Sequence, residues 1–467
     1  MKRIKAVVTM ITSILLFTLL LGSVTINAEA EEYWPQDIGV ESEAAIIMEQ
    51  STGTILYEKN IHEKEYPASI TKVLTALVAI ENSEMDEVVT FSPESIYNIE
   101  VGSSSIARDV DEQMTMEECL YGLLLESANE CAYAIAEHVG DKYNGGYDKF
   151  IDMMNEKAVE LGCTDSHFCN PHGLPEDEHY VSAYDMALIA QAALEENEFV
   201  KIIGTRHYTI PPTNKHTMET NLNNQHGMIS SWKTTQYLYD GCMGGKTGYT
   251  DLARHTLVTY VRRNGMTLIC VILKAEGSNH YTDTINLMDY CYDNFSLTQV
   301  QQNADILDQN NGTKDIGALG ANIDLVKLGD DGAIILPDGV DISQASSEVR
   351  PKSDPENPDV VGEIIYTYAG RTVGQADLLF SSDETESYPF ATDEEEPVED
   401  QPYRIIDVWK IVKVVAILAA AVLIIIIVVK VFPGFQEKFY RFKNSHKRNP
   451  NRKLIKIDRS RNRRRRR

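Results

Sequence analysis

The sequence predicts an α+β protein: a mixed helix-and-strand domain, a small all-β domain behind it, and a C-terminal transmembrane helix. Three observations carry that expectation. Between Ser42 and Phe295, strand-like runs stand at both ends with helical periodicity between them, so the terminal strands are expected to share one sheet. After Phe295 the pattern changes to short strands punctuated by glycine and proline. Near the far end, Val414 to Val429 contains no charged residue.

At the N-terminus, Met1 to Lys5 hold three positive charges, Ala6 to Val24 are almost wholly apolar, and Ala28-Glu29-Ala30 supplies small residues at a cleavage position, which reads as a signal peptide over 1–30. An uncleaved anchor is the competing reading, and both export the chain beyond residue 30. In the next segment, 31–298, Ala45-Ile46-Ile47-Met48 and Thr54-Ile55-Leu56-Tyr57 flank Ser51-Thr52-Gly53 as a hairpin. Ile70, Val73, Leu74, Leu77 and Ile80 repeat at helical spacing, with Pro67 near the start, where a missing N–H costs nothing. Glu118 to Glu126 is a second helical run. Thr256 to Val261 and Met266 to Leu273 are strands joined by a turn containing Asn264-Gly265.

In the small β domain, 299–381, Val360 to Tyr368 and Thr372 to Phe380 form a hairpin around Ala369-Gly370-Arg371. Residues 382–404 are dense in Asp and Glu with little to bury, which predicts a disordered acidic stalk. The transmembrane helix is placed at 408–432, where Ile411 to Phe432 reach the roughly 20 residues a bilayer core requires. Lys413 and Lys430 stand at its edges, where long side chains reach the headgroups. The tail, 433–467, is basic and is expected in the cytoplasm. No internal repeat is visible.

Charge supports this layout. The 467 residues carry a formal net charge of −27, yet the chain from Lys430 onward holds 16 Lys and Arg against Glu437 and Asp458, which leaves the rest near −41. The tail is read as a topology signal, with membrane lipid as the expected partner through the C-terminal helix and no nucleic acid. Seven cysteines, Cys119, Cys131, Cys163, Cys169, Cys242, Cys270 and Cys291, form no Cys-x-x-Cys pair, and an odd number leaves at least one thiol unpaired. His172, His179, His207, His216 and His226 show no tight ligand spacing, so no metal is expected.

The chemistry is carried by three short motifs. In Ser69-Ile70-Thr71-Lys72, the i, i+3 spacing on a helix puts hydroxyl and amine on one face. A serine hydroxyl becomes a nucleophile when a base takes its proton, and a desolvated lysine can be that base. Ser230-Ser231-Trp232-Lys233 repeats the pattern but lacks a helix to present it, and is rejected as a decoy. Ser127-Ala128-Asn129 follows the Glu118 to Glu126 run, where its two polar side chains share a cleft only if the helix breaks. Lys246-Thr247-Gly248 follows the glycine-rich segment Gly241 to Gly245. Its glycine leaves room for a ligand along the strand, while its cation and hydroxyl suit a carboxylate.

These motifs occur in order, 58 and 119 residues apart. Their set and order match the signature of penicillin-binding proteins and class A β-lactamases. The chain resembles the D-alanyl-D-alanine carboxypeptidases, the low-molecular-mass penicillin-binding proteins. Tyr66-Pro67-Ala68, Asn170-Pro171-His172-Gly173-Leu174, Asp185-Met186-Ala187 and the hairpin from Val360-Val361-Gly362 add to the likeness, which spans about Ala45 to Phe380. The resemblance implies the penicillin-binding, β-lactamase-like transpeptidase fold, an antiparallel sheet flanked by helices. It also implies a serine carboxypeptidase that acts on peptidoglycan stem peptides ending in D-Ala-D-Ala and is acylated by β-lactams, with no cofactor.

By the same resemblance Ser69 attacks, Lys72 takes its proton, and Ser127 with Lys246 passes a proton to the leaving D-alanine. Asn129 holds the substrate backbone, Thr247 its carboxylate, and Gly248 leaves room for it. The backbone N–H groups of Ser69 and Tyr249 form the oxyanion hole. Relatives often carry an arginine after the strand corresponding to Leu268 to Leu273; here His280-Tyr281 occupy that region and no arginine occurs from Asn264 to Val349. Arg254 is a candidate substitute, or else a surface charge. Two rivals remain. A β-lactamase needs a glutamate-positioned water, and Cys163 stands near where the class A spacing puts that glutamate. A membrane-crossing β-lactam sensor needs a cytoplasmic effector domain, and only the basic tail comes after the span.

Overall fold

A computed structural model of the chain describes residues 33–300, 326–329, 332–352, 357 and 359–380. The expected signal peptide, acidic stalk, transmembrane helix and basic tail lie outside the described residues. Among the described residues no helix is long and apolar enough to cross a membrane.

The expected hairpin forms as strands β1 (Ala44–Glu49) and β2 (Ile55–Lys59). Two short pairs stand within the helical region, β3 (Val88–Thr90) with β4 (Gln113–Thr115) and β5 (His207–Ile210) with β6 (Thr220–Asn223). Three long strands then complete the main sheet: β7 (Cys242–Thr250), β8 (Arg254–Arg263) and β9 (Met266–Ala275). The sheet is antiparallel in the order β2-β1-β9-β8-β7, so the chain's early strand and its late strand are neighbours, as the pattern suggested. The β8–β9 turn has positive φ at both Asn264 (51°) and Gly265 (82°). That is the twist a two-residue hairpin needs, and asparagine and glycine adopt it at least cost.

Strand β1 is buried along its whole length instead of alternating, because both faces of the sheet are covered. Ile46 and Met48 pack with Ile70, Val73 and Leu77 beneath the helices. Ala45 and Ile47 pack on the opposite face against Leu287 and Met288 of the helix Asn279–Asn294. Each fully buried aliphatic side chain contributes roughly 1.5–3 kcal/mol relative to exposure, so this strand alone fastens two cores together.

A second antiparallel sheet is built from β10 (Phe295–Gln299), β11 (Val326–Leu328), β12 (Ala333–Pro337), β13 (Ser346–Pro351), β14 (Val360–Tyr368) and β15 (Arg371–Phe380). Its core includes Ile334, Ile364, Tyr366, Val373 and Leu378. The β14–β15 turn lies at Ala369 and Gly370, where the sequence placed it. The second sheet begins at Phe295, a few residues before the expected boundary at 299, because β10 runs directly out of the preceding helix.

Candidate active site

The nucleophile's position is set by a strained turn. Ala68, in the 3-10 turn Ala68–Thr71, has φ of 50°, and Gly173 packs so close that a Cβ there would stand 1.9 Å from Ala68 O. A non-glycine residue in this conformation persists only where its surroundings over-determine it. The turn runs into the helix Lys72–Asn82, and the i, i+3 spacing brings Lys72 Nζ to 3.0 Å from Ser69 Oγ.

Lys72 is completely buried, and its other two contacts are Asn129 Oδ1 at 2.7 Å and His172 O at 2.6 Å. Neither is a carboxylate. Burial, and secondarily the charge of Lys246, hold its ammonium pKa well below the usual lysine range, against an opposing pull from Glu130. A neutral amine has two N–H groups and one lone pair. Donating the two N–H groups to Asn129 and His172 leaves the lone pair for the Ser69 hydroxyl proton, which is the arrangement of a general base.

Ser127 and Asn129 face the cleft because the helix breaks. The helix Met116–Leu125 starts on a capping box, Thr115 with Glu118, and stops just before Ser127, whose φ is 64°; the next helix starts at Asn129. This is the interruption the motif required. Ser127 Oγ is buried with no hydrogen-bond partner among the described residues, an unmet demand that substrate can satisfy. Asn129 Nδ2 donates to Ser103 Oγ at 2.9 Å, so its carboxamide is held from both ends.

Lys246 and its neighbours come from β7, the edge of the main sheet. Lys246 is buried, donates to Thr247 O at 2.8 Å, and has its pKa pushed down to about 7 by burial, with Lys233 adding to the shift and Glu126 opposing it. Gly248 lets this strand meet the nucleophile: a Cβ there would stand 2.9 Å from Ser69 N and 2.2 Å from Thr256 Oγ1. Thr256 Oγ1 in turn donates to Pro67 O at 2.7 Å, tying β8 to the nucleophile's turn. Among the described residues no strand covers the outer edge of β7.

The resulting cleft has a volume of about 750 Å³, and Ser69, Ser127, Asn129, Thr247, Gly248 and Tyr249 all line it. Lys246 lies behind this surface. Several lining residues carried no motif, among them Ser103, Glu126, Gln225 and His255, and Lys233 belonged only to the rejected second Ser-x-x-Lys. They reach the cleft from separate loops and strand ends, and no periodicity marks them. His280 and Tyr281, noted only as standing where relatives have arginine, also line it.

Other candidates lie elsewhere. Arg254 is not among the cleft's lining residues; its Nε donates to Glu276 Oε1 at 2.8 Å in an exposed ion pair. Ser230 Oγ accepts from Trp232 N–H, and no hydrogen bond joins it to Lys233. Cys163 is buried, with its thiol directed to Asp185 O. Among the described residues Asp109, Glu112 and His216 have ligand atoms within 4.8 Å of one another. However, Glu112 already accepts from Arg108, Thr213 and the Asp109 N–H, which makes it a structural hub. All seven cysteines are free thiols.

A serine facing a buried lysine whose pKa is held down, a second serine open to the same cleft, and an edge strand brought to the nucleophile by a glycine define a serine acyl-transfer enzyme of the penicillin-binding fold. The family profile described as D-alanyl-D-alanine carboxypeptidase matches residues 29–277, over half of the chain, and the protein belongs to that family of serine peptidases. It is 29% identical over 290 residues to the D-alanyl-D-alanine carboxypeptidase DacF of Bacillus subtilis, covering 60% of this chain and 71% of the relative. It is 31% identical over 257 residues to the D-alanyl-D-alanine carboxypeptidase of Streptomyces sp. K15, covering 52% and 84%. Penicillin-binding protein 5 from Haemophilus influenzae shares the fold, with a TM-score of 0.58 over 74% of this chain and 98% of that one, at 22% identity.

Proposed function

We propose that the protein removes the terminal D-alanine from peptidoglycan stem peptides outside the cytoplasmic membrane, through an acyl-enzyme on Ser69. The surroundings of Lys72 carry this reading: it is fully buried 3.0 Å from Ser69 Oγ, with no carboxylate in contact, and once neutral it spends its two N–H groups on Asn129 and His172 and turns its lone pair to the Ser69 hydroxyl. Ser69 attacks the carbonyl between the two D-alanines as Lys72 takes its proton. The Ser69 and Tyr249 N–H groups hold the developing oxyanion, each such donor lowering the barrier by roughly 3 kcal/mol. Ser127 and Lys246 deliver a proton to the leaving amine, and water then hydrolyses the ester. Asn129 and Thr247 align the peptide along the open edge of β7, and Gly248 keeps that edge clear.

A β-lactam ring presents the same reactive carbonyl, but its leaving amine stays tethered and obstructs water. Among the described residues lining the cleft Glu126 is the one carboxylate, and its oxygens already accept from Asn223 N–H and Gln225 Nε2 at 2.7 Å. No carboxylate is therefore free there to position a deacylating water, which favours a carboxypeptidase over a β-lactamase. The test is mass spectrometry of the full chain mixed with a pentapeptide ending in D-Ala-D-Ala. Release of one D-alanine, with a transient acyl adduct on the peptide containing Ser69, is expected; peptide cleavage with no adduct at Ser69 on rapid quenching would overturn the assignment.

The proposal includes a topology: a signal peptide over 1–30, the β domain and acidic stalk as spacers, a span at 408–432 in contact with lipid, and the basic tail in the cytoplasm. The uncharged run and its cationic flank support it. Protease added outside intact cells should release the catalytic portion through the stalk and spare Arg463 to Arg467. Digestion of that tail in intact cells would refute it.

A further inference from the structure

The acyl donor of the proposed reaction ends in a free carboxylate, yet the cleft holds no arginine. Its cationisable lining residues are Lys233, His255 and His280. Two of these form a single unit. The rings of His255 and His280 stack at 4.5 Å between centroids and 6° between planes. His255 pairs across the ladder with Tyr249, on the strand that carries Thr247, while His280 stands in the first turn of the helix Asn279–Asn294.

His280 is only 7% exposed, and its Nδ1 lies 3.1 Å from Gly277 O. A carbonyl only accepts, so Nδ1 bears the hydrogen and the neutral ring presents the bare Nε2 lone pair. That nitrogen has no hydrogen-bond partner among the described residues. A lone pair repels a carboxylate; an N–H⁺ at the same atom would bind it by a charge-assisted hydrogen bond.

We propose that His280, stacked on His255, recognises the free carboxylate at the end of the acyl donor, and that it does so as an imidazolium formed with one proton taken from solvent. This rests on the reading that Ser69 attacks a D-Ala-D-Ala terminus, with Thr247 as the hydroxyl partner of the same carboxylate. Only one of two parallel stacked imidazoles can hold the charge comfortably, so the pair binds one proton between them. The charged and titratable groups that act on the pair are Tyr249 and Arg254 from β7 and β8, Glu276 from the turn after β9, the buried His226 from the segment before β7, and Asp283 and Tyr281 on its own helix, while Lys233 lines the same cleft. Arg254 is balanced by Glu276, and Asp283 accepts from the N–H and hydroxyl of Ser42.

Burial and, secondarily, the His255 ring push the pKa of free His280 down to about 4, while Gly277 O and Asp283 oppose the shift. An incoming carboxylate raises it. Between those two values the anion binds with proton uptake, so its apparent affinity falls as pH rises, by up to about tenfold per unit.

The experiment measures KM for D-Ala-D-Ala peptide and for the same peptide with a C-terminal amide across pH 5 to 9, on the full chain. The amide has no charge to recognise, so the KM ratio of amide to acid cancels titrations common to both substrates. The ratio should fall as pH rises in the wild type. It should be small and flat in His280→Gln. In His280→Arg it should be large and flat, because guanidinium keeps its charge over this range. Arg254→Ala should retain the wild-type slope. A flat wild-type ratio, or a slope surviving in His280→Gln, would overturn the inference. Acylation of Ser69 by an uncharged thioester donor is followed in parallel. If Ser69 is acylated while the ratio stays flat, the carboxylate assignment fails and the nucleophile stands; if Ser69 is never acylated, the functional reading itself fails.

Discussion

The chain contains Ser-x-x-Lys twice within one folded unit, and the two copies differ in everything except their letters. In Ser69–Lys72 the turn and helix set the amine 3.0 Å from the hydroxyl, complete burial weakens its hold on a proton, and two neutral acceptors orient it. In Ser230–Lys233 the residues lie in a loop of bends, Ser230 Oγ accepts from Trp232 N–H, and Lys233 is exposed at the cleft. The comparison teaches that the motif encodes spacing, whereas reactivity comes from desolvation and from the acceptors that use up the amine's hydrogens. The second copy is not idle, since Lys233 helps to depress the pKa of Lys246.

The largest effect should separate the two serines. Labelled penicillin should modify the protein one to one at Ser69, and Ser69→Ala should abolish labelling, since loss of a catalytic nucleophile can cost about 10⁶ in rate. Ser230→Ala should label normally. Labelling of Ser69→Ala at the wild-type rate would erase the distinction.

A smaller effect should separate the two lysines. Lys72→Arg substitutes a group that stays protonated, so it cannot accept the serine proton, and general-base loss is worth typically 10²–10⁴ in acylation rate. Lys233→Arg preserves an exposed charge and should change the rate far less. Stopped-flow acylation of both variants measures the difference, and equal losses would show that burial around Lys72 is not what makes it a base.

Much of the fold was readable from the sequence because its signals are local. Asn264-Gly265 and Ala369-Gly370 mark turns by the φ they tolerate, and Ser69 with Lys72 needs only a helix to meet. The Ser127 break was harder. The motif demanded it, but a serine at φ of 64° gives no advance sign, because the conformation is imposed by the two helices it joins. Arg254 shows the limit of spacing arguments: a cation near the right place proved to be engaged by Glu276, 22 residues downstream.

What the sequence by itself determined was the set of reacting groups and the elements that bear them, since i, i+3 neighbours, hairpin turns and glycine-flanked strands are decided within a few residues. Only the tertiary structure decided their chemistry. Lys72 is a base because the Asn129 and His172 segments close over it, and Gly248 matters because β7 packs against the turn of Ser69. The His255–His280 stack exists only because the helix Asn279–Asn294 packs across the face of the sheet at β8 and β9. Burial and juxtaposition set proton affinities, and both belong to the packed chain as a whole.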